Sequence, residues 1–135
     1  MSLMHNFDVV GTAMSAQAMR MNITTSNMAN ADTVSGNEKD AYRARNPVFS
    51  ALMINPDKEA VGVEMLGVME SRLPIPVRHA PGHPLADQDG NIYSSNVNVV
   101  EEMANMISAS RSFQSNIEVL NTSKQLMMRT LSLGE

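Results

Sequence analysis

The stretch NVNVVEEMANMISASRSFQSNIEVLNTSKQLMMRTLSLG, residues 96–134, decides the fold. Within it Met103, Met106, Ser110, Phe113, Ile117, Leu120, Lys124, Met127 and Leu131 follow one another at alternating steps of three and four, and seven of the nine are apolar. Side chains three and four apart share one face of an α-helix, so this series is a single stripe along a helix. Its ends are also written in the sequence. Asn98 can accept from free backbone N–H groups, Glu101 stands at the third helical position as in a capping box, and Glu102 adds a favourable charge near the positive end of the dipole, while Arg129 and Gly134 mark the stop. The spacing predicts a helix over 99–133, about 50 Å long at roughly 1.5 Å per residue.

A second stripe occupies the other end of the chain. Leu3, Phe7, Val10, Met14, Met21 and Met28 keep helical spacing, with Gln17 and Thr24 interrupting the second line. The run NMANADTVSGN, residues 27–37, collects the residue types that end helices, which puts the stop near Asn30. Between the helices, Val61, Val63 and Met65 alternate with Gly62 and Glu64, and Ile75 and Val77 alternate across Pro76, as half-buried strands do. Pro74, Pro76, Pro81 and Pro84 keep such strands short or at an edge. Asp89–Gly90 between Leu85 and Ile92–Tyr93 reads as a hairpin turn, and Tyr42–Ala44 with Val48–Leu52 as another strand pair. The expected class is α+β: residues 1–31 and 97–135 form a coiled-coil-like helical inner domain, and residues 32–96 a small β-rich outer domain with a mobile loop near 33–40.

The composition removes several function classes. The chain has 135 residues, no Cys, no Trp, three Phe, two Tyr and 13 Met, a net charge of −4, and a length suited to one domain with a thin core. Without Cys there is no disulfide framework, thiolate zinc site or cysteine nucleophile. Without a basic block the electrostatic footprint of a nucleic-acid binder is missing. The start MSLMHNFDVVG lacks the cationic and apolar regions of a secretory signal, and no stretch reads as a membrane span. The charge is unevenly placed: residues 1–31 carry only Asp8 and Arg20, while 32–96 carry fifteen charged side chains and 97–135 carry seven. Ordinary solvated helix faces are richer in charge, so the polar faces of these helices are expected to be covered as well.

Chemical motifs are few. His79 and His83 with Asp87 and Asp89 place nitrogen and oxygen ligands close together, but Pro81, Gly82 and Pro84 forbid the helix that a His pair four apart needs, and a solvated loop is the better reading. Asp87–Asn91 resembles a calcium loop only superficially, since its Gly comes early and no bidentate Glu follows. No nucleophile elbow, P-loop or dinucleotide fingerprint is present; neither catalysis nor a cofactor is expected. Two glycosylation-type triplets, at Asn22 and Asn121, fall inside the expected helices and carry no weight.

Two readings of the helix pair stay open on pattern alone. The helices pack as the core of a small free domain, or their outward faces assemble with other helices. Asn22, Thr25, Ser26, Asn27 and Asn30 on the first, with Ser108, Ser112, Ser115, Asn116 and Asn121 on the second, favour assembly, because small polar groups dehydrate cheaply when each finds a partner. Methionines in both stripes fill unequal gaps between non-identical neighbours. A soluble helical adaptor or export-chaperone-like module is the alternative.

The segment AQAMRMNITTSNMAN (16–30), followed by Ala31-Asp32-Thr33 and Tyr42-Arg43-Ala44, resembles bacterial flagellar rod and hook proteins. Residues 96–134, Pro84–Asp87 and Asp89–Gly90 extend that resemblance, towards the proximal-rod members, over nearly the whole length. The resemblance implies a structural subunit of the flagellar basal-body rod, a drive shaft carrying torque to the hook, exported unfolded by the flagellar type III apparatus without a cleaved signal. It implies as partners other rod proteins, further copies of itself, and membrane-ring or rod-adaptor proteins at the base. The packing residues would be Phe7, Val10, Met14, Met21, Asn27, Met28, Asn30, Met103, Met106, Phe113, Ile117, Leu120, Met127 and Leu131, with the Asn and Ser faces meeting neighbours. Arg43, Arg45, Arg72 and Arg78 would be outer-domain contacts. The isolated chain is expected to have poorly ordered ends, since neither helix would bury both faces alone.

Overall fold

The computed structural model describes residues 3–55 and 60–132. In chain order it has α1 (Leu3–Ala29), β1 (Val34–Ser35), a short 3-10 turn (Glu38–Asp40), β2 (Arg45–Asn55), β3 (Ala60–Glu70), β4 (Val77–His79), β5 (Asn91–Ser94) and α2 (Val99–Ser132). The expected α+β class holds, with a long helix at each end and β-structure between.

The start of α2 and the end of α1 fall where their sequences say. At the start of α2, Asn98 Oδ1 accepts from the N–H groups of Val100 at 3.1 Å and Glu101 at 3.3 Å. This satisfies donors that the first helical turn leaves free. Helix α2 runs to the last described residue, Ser132, and Gly134 lies outside the described residues. At the end of α1, the backbone and side-chain N–H groups of Asn30 both donate to Ser26 O, at 3.2 and 2.8 Å, and the Thr33 hydroxyl donates to Asn30 O at 2.7 Å. Short polar side chains thus take over the carbonyls that another helical turn would have used.

The central segment builds two separate sheets. Strands β2 and β3, eleven residues each, form an antiparallel ribbon with Arg45 opposite Glu70 and Asn55 opposite Ala60, its register shifting between Val48 and Phe49 and between Met53 and Asn55. The three-stranded sheet has the order β1-β5-β4, all antiparallel.

Two expected pairings are corrected. Val48–Leu52 lie in β2 but pair with β3, not with Tyr42–Ala44, which belong to no strand. Tyr42 and Ala44 are engaged elsewhere, the Tyr42 hydroxyl by Asn27 and the Ala44 N–H by Asn96 Oδ1 at 2.7 Å. Asp89–Gly90 does turn the chain, with Gly90 at φ +76°, yet β5 pairs with Val77–His79 rather than with the Leu85 region. Pro81 and Pro84 interrupt the donors that a strand beside Leu85 would need. The segment 33–40 holds β1 and the 3-10 turn, whose first residue is capped by Asn37. Ile75 lies outside any strand but is buried and, with Ile92, is among the few apolar core residues.

The helices pack antiparallel. The C-terminal part of α1 meets the N-terminal part of α2, where Arg20 Nη2 donates to Asn105 Oδ1 at 3.2 Å and Met28 lies with Met103 and Met106 around one cavity. The β2–β3 ribbon covers a second face of α1. Val63 N–H donates to Thr12 Oγ1 at 3.2 Å, and the Thr12 hydroxyl donates to Val9 O at 2.8 Å. Gly62 makes this approach possible: a Cβ there would sit 2.6 Å from Thr12 Oγ1 and 2.8 Å from Ile54 Cδ1. Helix α1 is therefore covered on two faces within its own chain, which corrects the expectation that neither terminal helix buries both.

Candidate assembly surface

The seam between the helices does not follow the apolar stripes. On α2 the buried residues are Glu102, Ala109 and Ser123, multiples of seven apart, with half-buried Asn116 in the gap. On α1, buried Val10 and Thr24 with half-buried Gln17 form the matching line. These are small or polar residues, and the side-chain oxygen of Gln17 is buried there without a hydrogen-bond partner. The apolar stripes flank the seam instead. Each helical residue turns the chain by about 100°, so Met103, one position beyond Glu102, is carried well round the helix from the seam.

The expected packing residues accordingly divide. Val10 and Asn27 are buried; Phe7, Met14, Met21, Met28, Asn30, Met106, Phe113, Leu120 and Met127 are half-buried beside the seam; Met103, Ile117 and Leu131 are exposed. The exposed part extends to residues the spacing argument passed over: Val99, Val100, Ile107, Val119, Leu126 and Met128. Val100 is 76% exposed and Ile107 53%. Every described residue of α2 beyond Met127 is exposed. An unpaired apolar face of this kind marks an interaction surface when its side chains form one continuous patch.

Asn27 corrects the expectation that the asparagine face meets neighbours. It is 1% exposed, and its side chain is spent inside the chain: Nδ2 donates to Arg45 O at 2.8 Å, while Oδ1 accepts from Arg45 N at 2.9 Å and from the Tyr42 hydroxyl at 3.1 Å. An amide side chain offers one donor and one acceptor side by side, which matches the N–H and C=O of a single residue at the start of β2. Asn96 makes a similar clasp, donating to Leu73 O at 3.0 Å while accepting from Ala44 N. Ser26 and Asn30 are likewise engaged internally, whereas Asn22, Thr25, Ser108, Ser115 and Asn121 are exposed. Arg43 donates to Ser71 O and Leu73 O, and Arg45 pairs with Glu70 at 3.9 Å, so of the four arginines expected as outer contacts only Arg72 and Arg78 are exposed without a described partner.

The 79–91 loop uses its polar groups on itself. Asp87 Oδ1 accepts from the N–H groups of Asp89 at 2.9 Å and Asn91 at 2.8 Å, and Oδ2 accepts from the Tyr93 hydroxyl at 3.1 Å. The Asn91 N–H, followed by the Tyr93 hydroxyl and the Asp89 N–H, holds the Asp87 carboxyl below its ordinary value against a smaller opposing effect of burial. The same hydrogen bond raises the Tyr93 hydroxyl above its ordinary value. His79 Nδ1 lies 3.2 Å from Asn91 Oδ1, and His83 Nδ1 accepts from Leu85 N at 3.1 Å. Among the described residues no three His, Asp or Glu side chains converge as metal ligands, and no helix is long and apolar enough to cross a membrane.

Comparison with known proteins agrees with this arrangement. A family model described as "Flagella basal body rod protein" matches residues 7–36, and one described as "Flagellar basal body rod FlgEFG protein C-terminal" matches residues 88–133. These segments contain most of α1 and all of α2. Flagellar basal-body rod protein FlgC of Yersinia enterocolitica and that of Salmonella typhimurium are each 47% identical over 135 residues, covering the whole of both chains. The FlgC protein of Buchnera aphidicola from Acyrthosiphon pisum is 40% identical over 137 residues, again at full coverage. By identity and coverage alike, the chain belongs to the FlgC family of flagellar basal-body rod proteins.

Proposed function

We propose that the chain is a structural subunit of the proximal rod, part of the shaft that carries torque from the motor to the hook, and that it joins the rod chiefly through α2. The observation that carries this reading is the exposed apolar face running from Val99 and Val100 through Met103, Ile107 and Ile117 to Met128 and Leu131. Burying such a face is favourable at about 25 cal/mol per Å², so a neighbouring helix has a reason to cover it. Methionine suits a position shared by non-identical neighbours. The polar seam on the other side of α2 lets the helix keep its place against α1 without consuming this apolar surface. A shaft built from many such contacts resists shear because load is spread over packing between subunits.

Other rod proteins, further copies of this chain and ring or adaptor proteins at the rod base are the partners this reading supplies, with the flagellar type III apparatus as the export route across the cell envelope. The role is mechanical rather than catalytic. The polar clusters that could have served chemistry, at Asp87, Asn27 and Asn96, are occupied in holding loops and strand starts.

The test is deletion with complementation in a flagellated host. Loss of swimming with unchanged growth, restored by the parent chain and accompanied by its presence in purified basal bodies, is the expected result. A deletion that leaves rods complete, or a chain recovered only as a soluble complex with an unassembled flagellar protein, overturns the reading in favour of an adaptor or chaperone.

A further inference from the structure

Peroxides oxidise the sulfur side chains of proteins readily, and this chain has 13 Met and no Cys, so its sulfur chemistry is that of the thioether. Folding sorts the methionines. Apart from exposed Met19, those on the middle and end of α1, namely Met14, Met21 and Met28, are half-buried, as are Met65 on β3 and Met106 and Met127 on α2. By contrast Met103 and Met128 on α2 are 53% and 62% exposed, and Met53 and Met69 on the ribbon 62% and 56%. The contrast is sharpest at the N-terminal end of α2. Met28, Met103 and Met106 line one cavity of about 220 Å³ with Ile107, yet of the three methionines only Met103 is exposed. Val99, Val100 and Ile107, three or four positions from Met103 and so beside it on the helix surface, are exposed and apolar as well. At about 100° per residue, Met128 stands within about 20° of the same line along α2. Exposed Leu131 lies next to it, one turn further on.

We propose that Met103 and Met128 are oxidation sites for hydroperoxides, and that their modification before incorporation keeps a neighbouring rod subunit from covering α2; the proposal rests on the rod reading above. A sulfur lone pair attacks one peroxide oxygen, the O–O bond breaks and an S–O bond forms. Sulfur is oxidised by two electrons to the sulfoxide, and the peroxide is reduced by the same two, its other oxygen leaving as water with both protons. The product sets a strong hydrogen-bond acceptor among Val99, Val100 and Ile107, where the thioether was apolar filling. In the free chain that oxygen is solvated, so the fold is kept. Beneath an apolar neighbour with no donor it is buried unpaired, which disfavours the contact. The block is reversible, since methionine sulfoxide reductases restore the thioether. Once a neighbour covers α2, the same contact shields the sulfur from peroxide.

Two experiments test this. In the purified folded chain under dilute hydrogen peroxide, tandem mass spectrometry of peptides should find oxygen added to Met103 and Met128 at least about fivefold faster than to Met28 and Met106. The oxidised chain should melt within about 3 °C of the untreated one. In a host building new flagella, a peroxide pulse should leave sulfoxide at Met103 and Met128 in the unassembled chain and at least about tenfold less of it in purified basal bodies. Sulfoxide at Met53 and Met69, equally exposed but on the ribbon, should enter basal bodies in the proportion found in the unassembled chain. Incorporation of a Met103→Leu, Met128→Leu double variant, measured against its own untreated level, should not fall with the pulse, while that of the parent should. Oxidation of Met28 or Met106 as fast as Met103, a large drop in melting temperature, equal Met103 and Met128 sulfoxide in the two pools, or exclusion of Met53 and Met69 sulfoxide to the same degree overturns the proposal; with the parent present in basal bodies, the rod reading stands. A parent absent from the basal bodies of untreated cells overturns both.

Discussion

Among the described residues, α1 leaves one large apolar side chain exposed, Met19, whereas α2 leaves nine. Helix α2 is the more charged of the two, with six charged side chains against two, and has four methionines against five, so composition does not account for the difference. Neighbours within the chain do. Helix α1 lies between α2 and the β2–β3 ribbon, with Thr12 and Gly62 holding the ribbon close and Asn27 tying its far end to the start of β2. Helix α2 is held along one polar line and is otherwise open. The difference teaches that one terminal helix is covered largely by its own chain while the other keeps an open apolar face, the face to which the proposed function gives a partner.

Substitutions on the two helices and the ribbon test that division, taken from the largest effect to the smallest, and a titration of the loop before β5 follows. Replacing Met103 and Ile107 together by Glu should abolish swimming while moving the melting midpoint of the purified chain by less than about 3 °C, since both side chains are exposed. A large drop in melting temperature would show that the face is needed for folding. On α1 the opposite balance is expected. Asn27→Ala should destabilise the isolated chain by about 3 kcal/mol, lowering its midpoint by about 10 °C in a circular dichroism melt, because the Arg45 N–H, the Arg45 carbonyl and the Tyr42 hydroxyl lose their partner.

Gly62→Ala should cost about 1–3 kcal/mol through the clash with Thr12 Oγ1 and Ile54. Adding Thr12→Ala should recover part of that loss in a double-mutant cycle, and simple additivity would show that the two residues do not meet as described. Asn98→Ala should cost about 1 kcal/mol in chemical denaturation, the usual worth of an N-cap.

The titration concerns Asp87, in the loop between β4 and β5. Its carboxyl is held below its ordinary value, chiefly by the Asn91 N–H, so its contribution is present above the unfolded value and is lost as pH falls through the lower folded value, from about pH 4 downward. Asp87→Asn should lower the neutral plateau slightly and flatten the acid limb, so that the two stability curves converge below about pH 4. A steeper acid limb would mean that the Asp87 hydrogen bonds do not favour the ionised form.

The helices were legible because repeated spacing and end signals are carried by the same residues that build them. Asn98 at one end of the long stripe is both the signal and the cap. The seam was less legible, since the strongest apolar series divides between half-buried positions beside the seam, such as Phe113 and Leu120, and exposed ones, such as Met103 and Ile117, while the seam itself is marked by the small or polar Gln17, Thr24, Ala109 and Ser123. Their seven-residue repeat was the available clue. The ribbon on α1 left almost no trace: Gly62 and Thr12 are ordinary residues until the fold brings positions 51 apart into contact. Asn27 shows a further limit. Its main partner is the backbone of Arg45, and a backbone N–H and C=O are present whatever residue stands there.

The sequence distances of these contacts also set an order of events for a chain that emerges N-terminus first. Asn27 reaches Arg45 across 18 residues and Thr12 reaches Val63 across 51, but Arg20 meets Asn105 only across 85. Closing a longer loop costs more entropy, and here the partner does not exist until most of the chain is out. Helix α1 and its ribbon can therefore form a local unit early, while α2 emerges last and, on the rod reading proposed above, meets its own α1 and the helices of neighbouring subunits at the same stage.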